Sequence, residues 1–178
     1  KTLIDCKKKK IKPNLFIPIH YAGNCLDLKN ISKICKKEKI RIIEDGCHSF
    51  GSKFNNNTVG DCKGSYCTTF SFHPVKNITT IEGGAITTNS YKLFKKLKIL
   101  RNHSLIPTNI DDPYKLLEPS LNFRLGEINA VVGLEQLKQL NFFREKRLEL
   151  VKLYLERIKK SKHYFKILNF KSKSIFWH

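Results

Sequence analysis

The chain has 178 residues, of which 40% are apolar and 28% charged, and its formal net charge is +19. This apolar fraction is enough for a hydrophobic core and excludes disordered, collagen-like and disulfide-scaffold proteins. No apolar run approaches the roughly 20 residues of a membrane-spanning helix, and residues 1–10 lack the apolar segment of a signal peptide, so we expect a soluble cytoplasmic protein.

The chain contains no methionine. A complete reading frame begins with one, so we expect a fragment of a longer protein.

The positive charge comes almost entirely from lysine. The chain has 28 lysines and 6 arginines against 15 acidic residues. Such an excess is typical of proteins that bind nucleic acid or an anionic membrane. Arginine is the preferred residue for bidentate recognition of bases and phosphates, so a surplus of lysine indicates an AT-rich genome rather than a binding surface. A basic nucleic-acid-binding protein remains the alternative from outside enzymology.

The six cysteines do not have the spacing of a metal site. Cys62 and Cys67 enclose four residues, but no second pair lies at a suitable distance. We expect reduced thiols, mostly buried as small apolar groups.

The first predicted elements form a strand, a helix and a second strand. Residues 15–19 are an apolar run, and Asp27 is placed as the N-cap of a helix with apolar residues at helical spacing up to Lys39. Residues 40–43 are a second predicted strand, a β-branched run that stops at Glu44 and Asp45. Two strands joined by a helix predict a βαβ unit and therefore a parallel sheet.

Further elements follow a loop at 51–64. Residues 66–72 and 85–88 are predicted strands, and Ser90 caps a basic helix. Residues 104–119 are predicted to form a loop.

Residues 125–158 have the pattern of one long helix, with a bend expected at 141–143. The tail, residues 166–178, is interpreted as the first strand or two of another module.

Four polar residues are predicted to meet at one edge of the sheet. Asp45 follows one strand, Ser71 lies near the end of another, and His48 and Lys76 lie in the loops that come next. Open α/β sheets bind ligands at the carboxyl ends of their strands. This edge is therefore the predicted active site.

Collinear phrases across most of the chain resemble the DegT/DnrJ/EryC1/StrS family of sugar aminotransferases, which use pyridoxal 5'-phosphate (PLP). These phrases are IPIHYAGNCLD, IIEDGCHSFGS, TFSFHPVKNITT, EGGAITTN, LRNHS and LNFRLGEINAVVGLEQL. The resemblance implies an α/β fold of the fold-type I PLP-dependent transferases, similar to aspartate aminotransferase. It further implies a partial PLP-binding large domain with a mostly parallel sheet at 1–140, and a long helix with the start of a small domain at 141–178.

The resemblance also implies roles for individual residues. Lys76 matches the lysine that forms the Schiff base with PLP, Asp45 the carboxylate that binds the pyridine nitrogen, and His48 a residue near the phenolic oxygen. Ser71 matches a hydroxyl that binds the phosphate. Asn122 matches an asparagine that reaches the phosphate of the neighbouring subunit's cofactor, which implies a homodimer with shared active sites.

By residue type alone, each of these side chains also has a structural interpretation. A lysine is usually a solvated charge, an Asp or Ser after a strand often bonds locally, a histidine can be satisfied by the backbone, and an Asn can cap a helix. Arg124 is as well explained by a structural ion pair.

The implied reaction is transfer of an amino group, expected from L-glutamate, to a UDP-linked 4-keto-6-deoxy sugar in pseudaminic acid-type biosynthesis. One alternative is a dehydratase of the same fold, in which a histidine replaces the Schiff-base lysine. Another is a non-catalytic fragment.

The chain departs from the family pattern at four positions where turn geometry is at stake. Gly46 replaces a usual alanine, and Ile81, Ser104 and Ser120 replace usual glycines. The family's upstream phosphate-binding turn and ring-stacking aromatic have no counterpart before Phe16. We therefore expect the isolated chain to bind PLP poorly and to be inactive.

Overall fold

A computed structural model describes residues 2–109, 113–161 and 174–177. In chain order these residues form α1 (Thr2–Lys8), β1 (Leu15–Phe16), α2 (Leu28–Lys37), β2 (Arg41–Asp45), β3 (Lys53–Phe54), β4 (Asn57–Thr58), β5 (Cys67–Ser71), β6 (Gly84–Thr87), α3 (Tyr91–Arg101), β7 (Leu105–Pro107), β8 (Tyr114–Leu116) and α4 (Glu127–Lys160).

The main sheet has four strands in the order β1-β2-β5-β6. Strands β1, β2 and β5 are parallel, and β6 runs antiparallel to β5. The predicted βαβ unit and the mostly parallel sheet are thus confirmed. The predicted N-caps are also confirmed, because Asp27 accepts a hydrogen bond from the Asn30 N–H and Ser90 accepts one from the Leu93 N–H.

The core lies between α2 and the start of β2. Cys35, Ile40 and Ile42 are its buried members, and Leu3 and Ile31 pack against them. Burial alternates along β2, from exposed Arg41 to half-buried Asp45. This alternation places Ile42 and Glu44 on a buried face and leaves Asp45 on the other face.

Two predicted loops contain short hairpins. Strands β3 and β4 pair within the predicted loop at 51–64, and β7 pairs with β8 within the predicted loop at 104–119. The prediction of a continuous loop was wrong in both places, because strands of two or three residues are too short to show periodicity.

Helix α4 continues without interruption through Asn141 and Phe143, where the sequence predicts a bend. The predicted strands of the tail fall mainly on residues outside the described part of the chain.

Among the described residues, no helix combines the length and the apolar character needed to cross a bilayer. None of the six cysteines is in a disulfide, and four of them are buried, as predicted: Cys25, Cys35, Cys62 and Cys67.

Candidate active site

Four of the predicted site residues lie at the carboxyl edge of the parallel strands. Asp45 is the last residue of β2 and Ser71 the last of β5, while His48 and Lys76 lie in the loops that follow these strands. Because β2 and β5 are neighbours, with Asp45 opposite Thr69, the two loops emerge side by side. The structure therefore confirms the predicted placement at one sheet edge.

Asp45 is held by both its backbone and its side chain. Its N–H donates to the Pro18 carbonyl at 2.9 Å, and its carbonyl accepts from the His20 N–H at 3.0 Å. The carboxylate Oδ1 accepts from the Cys47 N–H at 3.0 Å. These bonds fix the carboxylate at the carboxyl edge of the sheet.

The pKa of the Cys47 thiol depends on both charges of the site. Burial, followed by hydrogen bonding to Asp45 and the charge of Asp45, raises the pKa of Cys47 to about 11, whereas the charge of Lys76 opposes this rise. The Asp45 carboxylate and the Lys76 ammonium therefore act on the same half-buried side chain.

Lys76 lies in a tight turn, where its N–H donates to the His73 carbonyl at 2.9 Å. The next residue joins the two loops, because Asn77 Nδ2 donates to the carbonyls of His48 at 3.4 Å and Phe50 at 3.2 Å. Asn77 is buried, so this link is protected from solvent. The loop that carries Lys76 is thereby tied to the loop that carries His48.

Trp177 is a site residue that the sequence did not predict. Its ring stacks on the His48 imidazole, with centroids 3.7 Å apart and planes at 23°. The Lys76 Nζ lies 4.3 Å from the centroid of the indole ring, and Trp177 Nε1 donates to the Val75 carbonyl at 2.6 Å. The only signal in the sequence was that Trp177 is the single tryptophan of the chain.

Within the described part of the chain, Ser71 and Asn122 have no contact with Trp177 of the kind that His48 and Lys76 make. Ser71 Oγ accepts a long hydrogen bond of 3.4 Å from the His73 N–H. Asn122 is exposed, bridges to Asn102, and accepts a hydrogen bond from the Arg124 N–H at 3.1 Å. The Arg124 guanidinium bonds the Asn102 side chain rather than a carboxylate. Among the described residues, no hydrogen bond or ion pair joins Asn122 to Lys76.

Two of the four departures from the family pattern lie at positions whose backbone conformation favours glycine. Ile81 and Ser104 have φ of 69° and 59°, in the left-handed region that strains residues with a Cβ. Gly46 differs, because a Cβ there would lie 2.8 Å from Phe70 Cε1 and 3.0 Å from the Thr69 carbonyl oxygen. Ser120 donates to the Leu100 carbonyl at 2.8 Å.

Comparison with known proteins places this geometry in context. The profile of the DegT/DnrJ/EryC1/StrS aminotransferase family matches residues 6–178. A UDP-4-amino-4,6-dideoxy-N-acetyl-beta-L-altrosamine transaminase from Campylobacter jejuni is 36% identical over 153 residues, which are 86% of this chain and 40% of that protein. A transaminase of the same name from Helicobacter pylori is also 36% identical, over 84% of this chain and 39% of its own length.

The fold matches solved structures. Helicobacter pylori PseC, an aminotransferase of pseudaminic acid biosynthesis, has a TM-score of 0.80 at 35% identity, covering 90% of this chain and 43% of its own. The GDP-4-keto-6-deoxy-D-mannose-3-dehydratase of E. coli, solved with hydrated PLP, has a TM-score of 0.78 at 26% identity, covering 98% of this chain and 48% of its own. The chain thus spans about two fifths of the length of the curated relatives it matches.

Proposed function

Because the chain belongs to the DegT/DnrJ/EryC1/StrS aminotransferase family, we propose that it contributes the lysine-bearing part of the active site of a PLP-dependent aminotransferase. The proposed acceptor is a UDP-linked 4-keto-6-deoxy sugar, as the names of the transaminases at 36% identity suggest. The observation that carries the proposal is the cluster of Lys76, His48 and Asp45 around Trp177 and Cys47 at the carboxyl edge of the sheet.

The side chains present fit PLP by their chemistry. An aldehyde requires an amine, a pyridine nitrogen requires an acid partner, and a phenolic oxygen and a phosphate require hydrogen-bond donors; Lys76, Asp45, His48 and Ser71 supply these groups. The stacking of the Trp177 indole on His48 supports the fit, since a planar aromatic ring packs against this imidazole with Lys76 Nζ 4.3 Å from its centroid.

PLP, when bound, supplies an electron sink for the carbon that gains or loses the amino group. The contributions of the chain are binding, orientation and proton transfer. Asp45 would hold a proton on the ring nitrogen through a charge-assisted hydrogen bond. Lys76 would hold the cofactor covalently, and its Nζ would move a proton at the reacting carbon when displaced.

The remaining features of the proposal depend on the whole protein. The proposed donor is L-glutamate, the protein is a cytoplasmic homodimer with shared active sites, and its pathway is polysaccharide biosynthesis. The exposure of Asn122, away from the other site residues, is compatible with its proposed contact with the phosphate of the partner's cofactor. The proposed domain division, 1–140 and 141–178, has its boundary inside α4.

The decisive experiment is reduction of the PLP-loaded, full-length protein with borohydride, followed by peptide mapping. We expect the pyridoxyl group on Lys76 and on no other lysine. Lys76→Arg should abolish the label, while Lys98→Arg, a change on α3 far from the site in sequence, should leave it in place. A label on any other lysine would contradict the proposal. The isolated chain is expected to take up little PLP.

Two rivals are separated by further measurements. The dehydratase is suggested by the E. coli structure, but the presence of Lys76, the proposed Schiff-base lysine, argues against it. Product analysis distinguishes the rivals, since amino transfer consumes one equivalent of donor per sugar and leaves an amine on the product. A nucleic-acid binder would associate tightly and with a steep salt dependence, whereas the enzyme should bind DNA or RNA weakly at physiological salt.

A further inference from the structure

A buried, hydrogen-bonded pair of side chains lies beside the candidate site but outside the residues assigned to it. His20 and Glu44 are each 1% exposed, and His20 Nε2 lies 2.8 Å from Glu44 Oε2. Burying a carboxylate is costly unless hydrogen bonds replace its hydration. The hydrogen bonds of this pair therefore determine whether Glu44 is stable in the interior.

Glu44 accepts hydrogen bonds from three side chains. Besides His20, the hydroxyls of Thr68, at 2.9 Å, and Ser65 donate to its Oε1. Burial alone raises the pKa of the Glu44 carboxyl, but the hydrogen bonds from His20, Ser65 and Thr68 together lower it below the ordinary value. Glu44 is thus a buried carboxylate, anchored across β2 and β5.

The histidine is held in one tautomer. The Leu26 N–H donates to His20 Nδ1 at 3.2 Å, so Nδ1 is an acceptor and the ring proton lies on Nε2, where it donates to Glu44. A neutral His20 consequently joins the loop after β1 to the middle of the sheet.

Glu44 and Asp45 are consecutive carboxylates on opposite faces of β2. A slip of one residue in the strand register would exchange them and would place Glu44 at the site. The bonds to Glu44 from His20 and Thr68 fix which of the two carboxylates faces the site.

The same histidine anchors the turn that contacts His48. Its backbone N–H donates to the Asp45 carbonyl at 3.0 Å, and two residues later the Ala22 N–H lies 3.4 Å from His48 Nδ1. Ala22 has a φ of 52° and Gly23 a φ of 81°, so this turn includes a strained residue. The His20 ring ties the base of the turn to Glu44.

We propose that His20 is a positioning residue that, through its buried hydrogen bond to Glu44, sets the orientation of Asp45 and His48 in the site. The inference rests on the proposed function for its purpose, but its geometry is independent of any cofactor.

The test uses the cofactor-free, full-length protein and the alkylation rate of Cys47, whose ionisation depends on Asp45. Two isosteres separate the bonds of His20: Gln keeps a donor toward Glu44, and Asn keeps an acceptor toward Leu26. At about pH 8.5, His20→Asn and His20→Ala should raise the Cys47 rate about three- to tenfold, because an undirected Asp45 no longer suppresses the thiolate. His20→Gln should keep the rate near that of the wild type.

Controls distinguish repositioning from loss of stability. Ile40→Val, in the core beside α2, should destabilise the fold without changing the Cys47 rate. Buried Cys35 is the internal reference, since general unfolding would expose it as well. If His20→Ala fails to fold, Glu44→Gln replaces it and should raise the Cys47 rate similarly.

Each outcome has one meaning. An unchanged Cys47 rate in folded His20→Asn, or a rate that rises equally in His20→Gln, would overturn the positioning role. Failure of borohydride to label Lys76 would overturn the proposed function while leaving the alkylation result intact. A second readout in the PLP-loaded protein is the absorption maximum of the cofactor, which should shift in His20→Asn and return toward the wild-type value in His20→Gln.

Discussion

The indole ring of Trp177 is stacked on the imidazole of His48, with centroids 3.7 Å apart. The two residues are far apart in sequence. Trp177 also donates a hydrogen bond to the Val75 carbonyl, in the loop that carries Lys76. The described C-terminal segment, residues 174–177, is thereby attached to both loops of the candidate site.

The first prediction separates the two kinds of contact that Trp177 makes. Trp177→Phe keeps an aromatic ring on His48 but loses the donor to Val75, which should lower the free energy of unfolding by about 1 kcal/mol. Trp177→Ala loses both and should cost roughly 1 kcal/mol more. Urea unfolding measures the free energy of unfolding of each variant and so gives their order. Tyr154→Ala, at a residue that is 68% exposed on α4, should change little.

The second prediction concerns the fit between Gly46 and Phe70. A Cβ at Gly46 would lie 2.8 Å from the Phe70 ring, so Gly46→Ala should lower the free energy of unfolding by about 1 to 3 kcal/mol. In Gly46→Ala/Phe70→Leu the combined loss should be smaller than the sum of the single losses. Gly64→Ala, where the nearest atom is 3.4 Å away, is the matched control and should be nearly neutral. Strict additivity would show that the two positions are not coupled.

The third prediction compares two serines at positions where the family usually has glycine. Ser104 has a φ of 59°, is 0% exposed, and its Oγ lacks a hydrogen-bond partner within the described residues. Ser104→Gly should therefore raise the free energy of unfolding by roughly 1 to 2 kcal/mol, since it removes both penalties. Ser120→Gly should lower it by about 1 kcal/mol, because the hydroxyl of Ser120 donates to the Leu100 carbonyl. Thermal unfolding of the two variants would decide, and an equal effect in both would contradict the argument.

The fourth prediction is a loss of stability at alkaline pH. Burial raises the pKa of Cys25 from 9.0 to about 12, with a hydrogen bond from Ser52 opposing and the charge of Glu44 adding to the rise. From pH 9.0 upward the unfolded thiol releases a proton that the folded thiol retains, so the free energy of unfolding falls until about pH 12. In Cys25→Ala this fall should be shallower, while the stability at neutral pH decreases because of the cavity. Denaturant titrations at several pH values measure this fall.

Local rules predict the elements that position Asp45 and Lys76. The apolar spacing before Lys39 and the caps at Asp27 and Ser90 depend only on neighbouring residues, which is why the βαβ unit follows from the sequence. The β-branched run at 40–43 predicts the position of β2, which extends two residues further, to Asp45.

Contacts between distant residues leave no local pattern. The contact of Trp177 with Val75 joins residues 102 positions apart, and the bond between His20 and Glu44 joins the loop after β1 to β2. The hairpin of β7 and β8 was missed for a related reason, because its strands have three residues each. A sequence shows which side chains are able to pair, but the fold decides which of them meet.

The antiparallel pairing of β5 with β6 has a consequence for how the site is assembled during folding. Lys76 lies in the connection between these strands, which are adjacent in both sequence and space, from Ser71 to Gly84. Such a hairpin has low contact order and closes early, whereas the parallel pairing of β2 with β5 must wait for a longer chain segment to close. The loop with the lysine is therefore expected to form before the carboxylate of Asp45 arrives beside it, so the amine is in place first and the acid completes the site.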